Sequence, residues 1–147
     1  MKKSCTFVRN DKLAKYDIFM IIKKYTPKDE AKLFELIENE GEEWKAYWYG
    51  AGKDKYRKAI ANSTVYVVYV GETLCGYARC RDDDGYGIYV IDLLVNPKYR
   101  GNEYGRLLME KVVEDFPDST VYVNSDVNPY YEKLGYKAIG TIFIVSK

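Results

Sequence analysis

The chain reads as an α/β protein, and three observations say so. Apolar runs of strand length alternate with stretches of helical periodicity, in the order β-α-α-β-β-β-α-β-α-β. Gly71-Glu72-Thr73 between two of the runs is a tight hairpin signal, so those strands are antiparallel neighbours. A third run ends at Val95, passes through a turn bearing Pro97 and Gly101, and opens directly into an amphipathic helix.

Taken in order, residues 1–16 carry Lys2, Lys3, Arg9, Lys12 and Lys15 against Asp11 and are expected as a leader or one accessory strand. The first strand spans Ile18 to Lys24. Thr26-Pro27-Lys28-Asp29 is a helix start: a capping threonine, proline at the first position and an acid at the third. Leu33, Phe34 and Ile37 supply that helix with its apolar stripe. A second helical region is expected over Glu42 to Ala61. Thr64 to Val70 and Leu74 to Arg81 are strands, and Asp82-Asp83-Asp84-Gly85 turns into the next, Tyr86 to Val95. A helix follows from Tyr104 to about Asp115 with Leu108 and Val112 inward, then a strand over Thr120 to Val123. Pro129 to Leu134 is a short helix, and Tyr136 to Ser146 a last strand.

Composition narrows the classes. A chain of 147 residues is expected as one domain, 1–147, with a continuous core. A net charge of +1 provides no general pull toward nucleic acid or a membrane surface. No apolar stretch approaches the ~18 residues of a membrane span, and no signal peptide is visible. The chain has no histidine, and its three cysteines lack zinc spacing, so no metal is expected. Cys5, Cys75 and Cys80 read as free thiols of a reducing, cytoplasmic compartment.

The chemistry concentrates after Val95, in Asn96-Pro97-Lys98-Tyr99-Arg100-Gly101-Asn102-Glu103-Tyr104-Gly105-Arg106. A strand–turn–helix join leaves the first N–H groups of the helix unpaired and aimed at one spot, where the helix dipole adds about half a positive charge. Gly101 and Gly105 lack a Cβ, and Lys98, Arg100 and Arg106 add cations, so a phosphate or pyrophosphate cradle is expected. A P-loop would require Gly-Lys-Ser/Thr where Gly105-Arg106-Leu107 stands. A dinucleotide fold would require three glycines early in the chain.

What remains resembles the GCN5-related N-acetyltransferase superfamily, whose acetyl-CoA loop reads Arg/Gln-x-x-Gly-x-Gly/Ala. Arg100 matches its first position and Gly105 its last, while Glu103 replaces the inner glycine. A second block, Asn124 through Tyr136, resembles Asn-x-x-Ala-x-x-Phe/Leu-Tyr-Glu-Lys-x-Gly-Phe/Tyr, with Val127 in place of alanine. The resemblance covers Ile18 to Lys147. It implies a mixed, mostly antiparallel seven-stranded sheet flanked by about four helices, with the fourth and fifth strands splayed to admit pantetheine. It further implies acetyl transfer from acetyl-CoA to a primary amine by direct attack in a ternary complex. Backbone groups of Leu93, Leu94 and Val95 would meet pantetheine. Arg100 to Arg106 (Gly101, Asn102, Glu103, Tyr104 and Gly105 between them) would hold the pyrophosphate, and Asn124 would lie at the same site.

Two residues are expected to handle protons. Tyr131 takes the family's position for the acid that protonates the departing thiolate; a phenol of pKa about 10 is protonated at neutral pH. Tyr130 is assigned to packing. For the base, Asp92 is singled out because strand alternation places Ile88, Val90, Asp92 and Leu94 on one face, where a carboxylate needs a polar cleft or a hydrogen-bond network. Relay through water suits an ordinary carboxylate better than direct abstraction.

The acceptor is expected to be a small-molecule or peptide amine. Glu38, Glu40, Glu42 and Glu43 beside Trp44, Tyr47, Trp48 and Tyr49 suit a cation through charge pairing and cation–π contact, and equally suit a solvated helix face against core aromatics. A CoA-binding sensor that lost turnover is the rival reading, motivated by Glu103. A homodimer is left open.

Overall fold

The computed structural model describes residues 6–8 and 19–146. The rest of the expected leader, Ile18 and Cys5 lie outside the described residues. Six strands form one sheet in sequential order: β1 (Thr6–Val8), β2 (Met20–Lys24), β3 (Thr64–Val70), β4 (Thr73–Asp82), β5 (Ile88–Val95) and β6 (Val121–Val123). Neighbours are antiparallel through β5, and β6 runs parallel to β5. A parallel pair needs a crossover, which is α4 (Tyr104–Asp115). The expectation of seven strands is corrected to five from Met20 onward, with short β1 outside them.

The missing strand is the last one. Tyr136 to Ser146 carries no secondary structure, and its apolar side chains stand in solvent. Its β-branched composition suits a pleated surface, but a strand exists only where a neighbouring backbone completes the ladder. In this chain none does.

The helices split between the two faces of the sheet. On one, α4 packs Leu108, Met109 and Val112 against Tyr66, Val68, Ala78, Cys80, Ile88 and Val90. On the other, α1 (Glu30–Glu40) and α3 (Ala51–Ala61) pack Leu33, Phe34, Ile37, Tyr56 and Ile60 against Val65, Val67, Tyr77 and Leu94. The helix start at Thr26 forms as expected, with the Asp29 carboxylate accepting the Thr26 N–H at 2.8 Å, though its first turn is a 3₁₀ turn, Pro27–Asp29. The region Glu42 to Ala61 is two helices rather than one. A short α2 (Lys45–Trp48) ends at Gly50, whose φ of +56° no helix accommodates. Gly52 then lets α3 approach α2, because a Cβ there would lie 2.2 Å from the Ala46 carbonyl oxygen. The fifth helix, α5 (Asn128–Lys133), is short.

Candidate active site

One irregularity organises the site. β4 and β5 are in register at Arg79↔Asp92, but Cys80 pairs with Val90, so Ile91 is an extra residue, a β-bulge. The bulge reverses which side chains point where. Ile88 and Val90 face α4, as do Leu93 and Val95 beyond the bulge, whereas Leu94 joins the α1–α3 core. Strict alternation, which put Ile88, Val90, Asp92 and Leu94 on one face, is thereby corrected: Asp92 and Leu94 are on the opposite face from Ile88 and Val90.

The same bulge lies where β5 and β6 part. They pair at Ile88↔Val121, Tyr89↔Tyr122 and Val90↔Val123, and the Asn124 N–H closes the contact on the Val90 carbonyl at 3.1 Å. From Asp92 to Val95, β5 runs on without β6 beside it. Counting from Met20–Lys24 as the first, these are the fourth and fifth strands, so the splay is present. Asn124 is exposed at its mouth, and Ser125 Oγ next to it is buried with no hydrogen-bond partner.

The loop from Arg100 to Arg106 enters α4 beside this gap. The first bond of the helix runs from Leu107 N–H to Glu103 C=O at 2.9 Å, leaving the N–H groups of Tyr104, Gly105 and Arg106 without helical partners. Gly101 has a φ of +83° with open space around it. Glu103 has φ +65° and ψ +11°, the left-handed region, which costs an L-residue with a Cβ about 1 kcal/mol. This backbone shape explains why a glycine suits the position. The Glu103 carboxylate lies 3.3 Å from Arg106 Nε, and Glu110 pairs with the same guanidinium. Arg100 is also engaged: its Nε donates to the Val95 carbonyl at 2.9 Å and its Nη2 to Glu40 at 2.7 Å. Asn102 donates to the Tyr99 carbonyl at 3.0 Å.

Gly105 makes room for a neighbouring side chain. A Cβ there would fall 2.3 Å from the Tyr130 hydroxyl, so the space left by the missing side chain is taken by that phenol. Tyr130, read as packing from sequence, therefore brings a polar atom to the first turn of α4. No pattern in a chain with sixteen tyrosines distinguishes it. Tyr131, beside it on α5, is half-buried, edge-on to Tyr130 at 5.0 Å and stacked on Tyr136 at 6.2 Å. Burial, then the neighbouring Tyr130, pushes its phenol up to about 12.

On the other face Asp92 is held in a buried network. Its Oδ2 accepts from Arg79 Nε at 2.5 Å and from the Tyr56 hydroxyl at 2.7 Å, and Tyr56 shares a further hydrogen bond with the Tyr77 hydroxyl at 2.8 Å. Burial, followed by the charge of Asp92, raises Tyr56 well above an ordinary phenol, and burial raises Tyr77 likewise. Sequence reasoning missed Tyr56, Tyr77 and Arg79. Arg79 faces Asp92 across the hairpin, a pairing that counting from the turn would have found only with the bulge already known. Tyr56 arrives from a separate helix and has no sequence signal.

The acidic, aromatic segment divides between core and surface. Trp44, Tyr47 and Trp48 are half-buried against the α1–α3 core, and the Tyr47 ring lies 4.8 Å from that of Tyr56. Glu42 pairs with Lys45, Glu40 with Arg100, and Tyr49 is exposed. The structure thus brings together Arg100 to Arg106, Val95 and Tyr130 around one helix start. It sets Asp92 apart, behind the bulge. Among the described residues no helix is long and apolar enough to cross a membrane, and no group of three or more His, Cys, Asp or Glu could hold a metal.

A sheet that splays at a bulged strand, with a glycine-bearing turn feeding a helix beside the splay, defines an acyl-CoA transferase class of fold. The family described as "Acetyltransferase (GNAT) family" matches residues 29–136, and the chain belongs to it. GCN5-related N-acetyltransferase 2, chloroplastic, of Arabidopsis thaliana is 33% identical over 70 residues, 44% of this chain and 27% of that protein. An uncharacterized N-acetyltransferase of Pyropia yezoensis is 23% identical over 99 residues, 60% of this chain and 57% of that protein. The matched part is thus less than two thirds of either relative. Among solved structures, an acetyltransferase of Streptococcus pneumoniae TIGR4 superposes with a TM-score of 0.67 at 22% identity, covering 87% of this chain and 99% of that one. Arabidopsis thaliana Naa50, solved in complex with the bisubstrate analogue CoA-Ac-MVNAL, gives 0.63 at 21% identity over 84% and 86%. At these identities the likeness is one of fold.

Proposed function

We propose that the protein transfers an acetyl group from acetyl-CoA to a primary amine, in one domain and without a covalent acyl-enzyme. The observation that carries this is the gap between β5 and β6 with the unpaired N–H groups of Tyr104, Gly105 and Arg106 beside it. A helix start of this kind suits a pyrophosphate. The stretch of β5 from Asp92 to Val95 that β6 does not pair, with the unpartnered Ser125 hydroxyl, suits pantetheine. The fold shared with Naa50, whose structure holds a CoA–peptide analogue, supports an amine at a peptide terminus or on a small molecule as acceptor.

In this reading the amine nitrogen attacks the thioester carbonyl, the C–S bond breaks, the nitrogen loses a proton and the leaving sulfur gains one. Tyr131 donates that last proton; a phenol held at about 12 remains protonated throughout the neutral range. Asp92, hydrogen-bonded by Arg79 and Tyr56 on the opposite face of the sheet, would act on the amine only through hydroxyls and water rather than by direct abstraction. The acids Glu38 and Glu43 and the exposed Tyr49 ring would draw a cationic acceptor to the α1–α2 side.

A panel of amines with acetyl-CoA, read by free-thiol release, tests the reaction. Coenzyme A at a hundredfold excess over its dissociation constant should add about 2.7 kcal/mol to stability. No thermal shift with coenzyme A would remove the proposal altogether. The left-handed Glu103 paired with Arg106 favours one rival, a sensor that binds acetyl-CoA without turnover. A thermal shift with no thiol release for any amine would select it.

A further inference from the structure

We propose that Tyr130 is a positioning residue for the acid: its hydroxyl lodges over Gly105 in the first turn of α4 and so locates α5, and Tyr131 on it, relative to the cofactor cradle. The role of Tyr131 rests on the transferase reading above, whereas the contact itself rests on geometry.

The contact joins two residues that fit each other by shape. Gly105 is the second residue of α4, is buried and has no left-handed φ, so the backbone does not call for glycine there. Helix propensity would favour alanine. What excludes alanine is Tyr130. A Cβ at Gly105 would fall about 1 Å inside an ordinary contact with the phenol oxygen. Its next neighbours, Tyr130 Cζ at 3.3 Å and Val95 Cγ2 at 3.8 Å, are far easier to accommodate. The exclusion is therefore carried by one oxygen, the atom by which tyrosine differs from phenylalanine.

The helix that carries the acid needs such an anchor. It follows a three-residue strand, has six residues, and none of them is buried. Its far end is closed by a Schellman cap: Gly135, at φ +82°, donates to the Glu132 carbonyl at 2.9 Å, and Tyr136 donates to the Tyr131 carbonyl at 3.0 Å. That cap shapes α5 from within and does not tie it to the sheet. Tyr130 does. Its hydroxyl shares the space over Gly105 with the side chain of Val95, at the end of β5, and so reaches from the β6 side of the gap to the β5 side.

The turn it reaches is the one whose N–H groups, from Tyr104, Gly105 and Arg106, have no helical partners. One element thus carries the cradle and fixes the acid. A methyl group at Gly105 has to displace one side of the contact. α4 holds Tyr104, Leu108, Met109 and Val112 in the core and α5 buries nothing, so α5 is the side that moves. Tyr131 moves with it, because its ring lies edge-on to that of Tyr130 at 5.0 Å on the same short helix. A misplacement of about 1 Å at a reacting group costs up to about a hundredfold in rate.

Four proteins decide it: the wild type, Gly105→Ala, Tyr130→Phe and the double variant. Thermal melts need no turnover. Gly105→Ala should lower Tm, against the sign that helix propensity alone gives, and in the Tyr130→Phe background the same substitution should raise Tm or leave it unchanged. A higher Tm for Gly105→Ala than for the wild type, or an equal loss in both backgrounds, would overturn the proposal. If Gly105→Ala does not fold, a folded double variant supports it and an unfolded one overturns it. In thiol release at saturating acetyl-CoA, Gly105→Ala should lower kcat about tenfold to a hundredfold, with coenzyme A affinity within about threefold of wild type. The double variant should return to the kcat of Tyr130→Phe. An unchanged kcat in Gly105→Ala would mean that this contact does not place Tyr131. A loss of coenzyme A affinity that Tyr130→Phe does not restore would mean that the methyl group blocks the cradle. Either result overturns the proposal. Absence of thiol release from the wild type is a separate failure, of the transferase reading, and the melts still decide whether Tyr130 sets the place of α5.

Discussion

The two sides of the β5 bulge are built on opposite terms. Behind it, Asp92, Arg79, Tyr56 and Tyr77 form a closed network in which the acid is met by a cation and a phenol at 2.7 Å or less. In front of it, β6 has three residues, α5 has six, and the chain beyond them is in solvent. The candidate base thus sits in the most constrained part of the molecule and the candidate acid on one of the least supported helices. The difference teaches that burial of a titratable residue identifies where a fold needs a partner. It does not identify where a substrate is handled.

Breaking the closed side should have the largest effect. Asp92→Ala leaves the largely enclosed Arg79 without its carboxylate, with an expected loss of about 3 kcal/mol in chemical denaturation. Replacing both, Arg79→Met with Asp92→Leu, should recover most of that loss. If the double variant is as unstable as the single one, the network is not a mutually compensating pair.

On the open side, Tyr131→Phe removes one hydroxyl and should lower turnover roughly tenfold to a thousandfold with little change in stability or coenzyme A affinity. Tyr130→Phe is the control beside it. If Tyr130→Phe has the larger effect on turnover, the phenol beside Gly105 is the acid. The pH profile sharpens this. The acid form of Tyr131 is lost as pH rises through about 12, so rates limited by chemistry should show no falling limb assignable to it below about pH 11.

Away from both sides, Asp29 supports the start of α1. Burial alone would raise its carboxyl, but hydrogen bonds from Lys23, Tyr69 and Thr26 outweigh this and hold it below the ordinary carboxylate range. With the folded value depressed, its contribution is present above the unfolded value and lost as pH falls through the folded one. Asp29→Asn should therefore cost roughly 2 kcal/mol at neutral pH and progressively less in acid, by thermal melts across pH.

The smallest effect is at Glu103. A carboxylate about 6 Å from a phosphate is repelled by roughly 0.7 kcal/mol in water, so Glu103→Gln should tighten coenzyme A binding about threefold. Calorimetry at two ionic strengths should show the gain shrinking with salt. Weaker binding would mean that the Glu103–Arg106 pair organises the cradle rather than burdening it.

Much of this was legible in the chain. The hairpin at Gly71, the capped start of α1 and the strand–turn–helix join at Val95–Tyr104 are local signals, written in residues that contact each other along the chain. Composition and turn chemistry report such contacts directly, and the two motif blocks placed the family. The antiparallel pairing of β3 with β4 followed from the same short-range information.

Tertiary structure decided what depends on a partner distant in sequence. Ile91 is an ordinary strand residue, and nothing in Ile88 to Val95 declares that one position will go unpaired; the bulge is a property of two strands meeting. Asp92 was rightly suspect as an acid among apolar residues, yet its face, its cation and its phenol came from the register with β4 and the packing of α3. Glu103 was visible as a departure from a glycine pattern, but its left-handed backbone and its bond to Arg106 exist only in the folded turn. The segment after Tyr136 carries every local mark of a strand and forms none within its own chain. Local chemistry determines what a segment is able to become, and only a second backbone, near in space, supplies the hydrogen bonds that make it so.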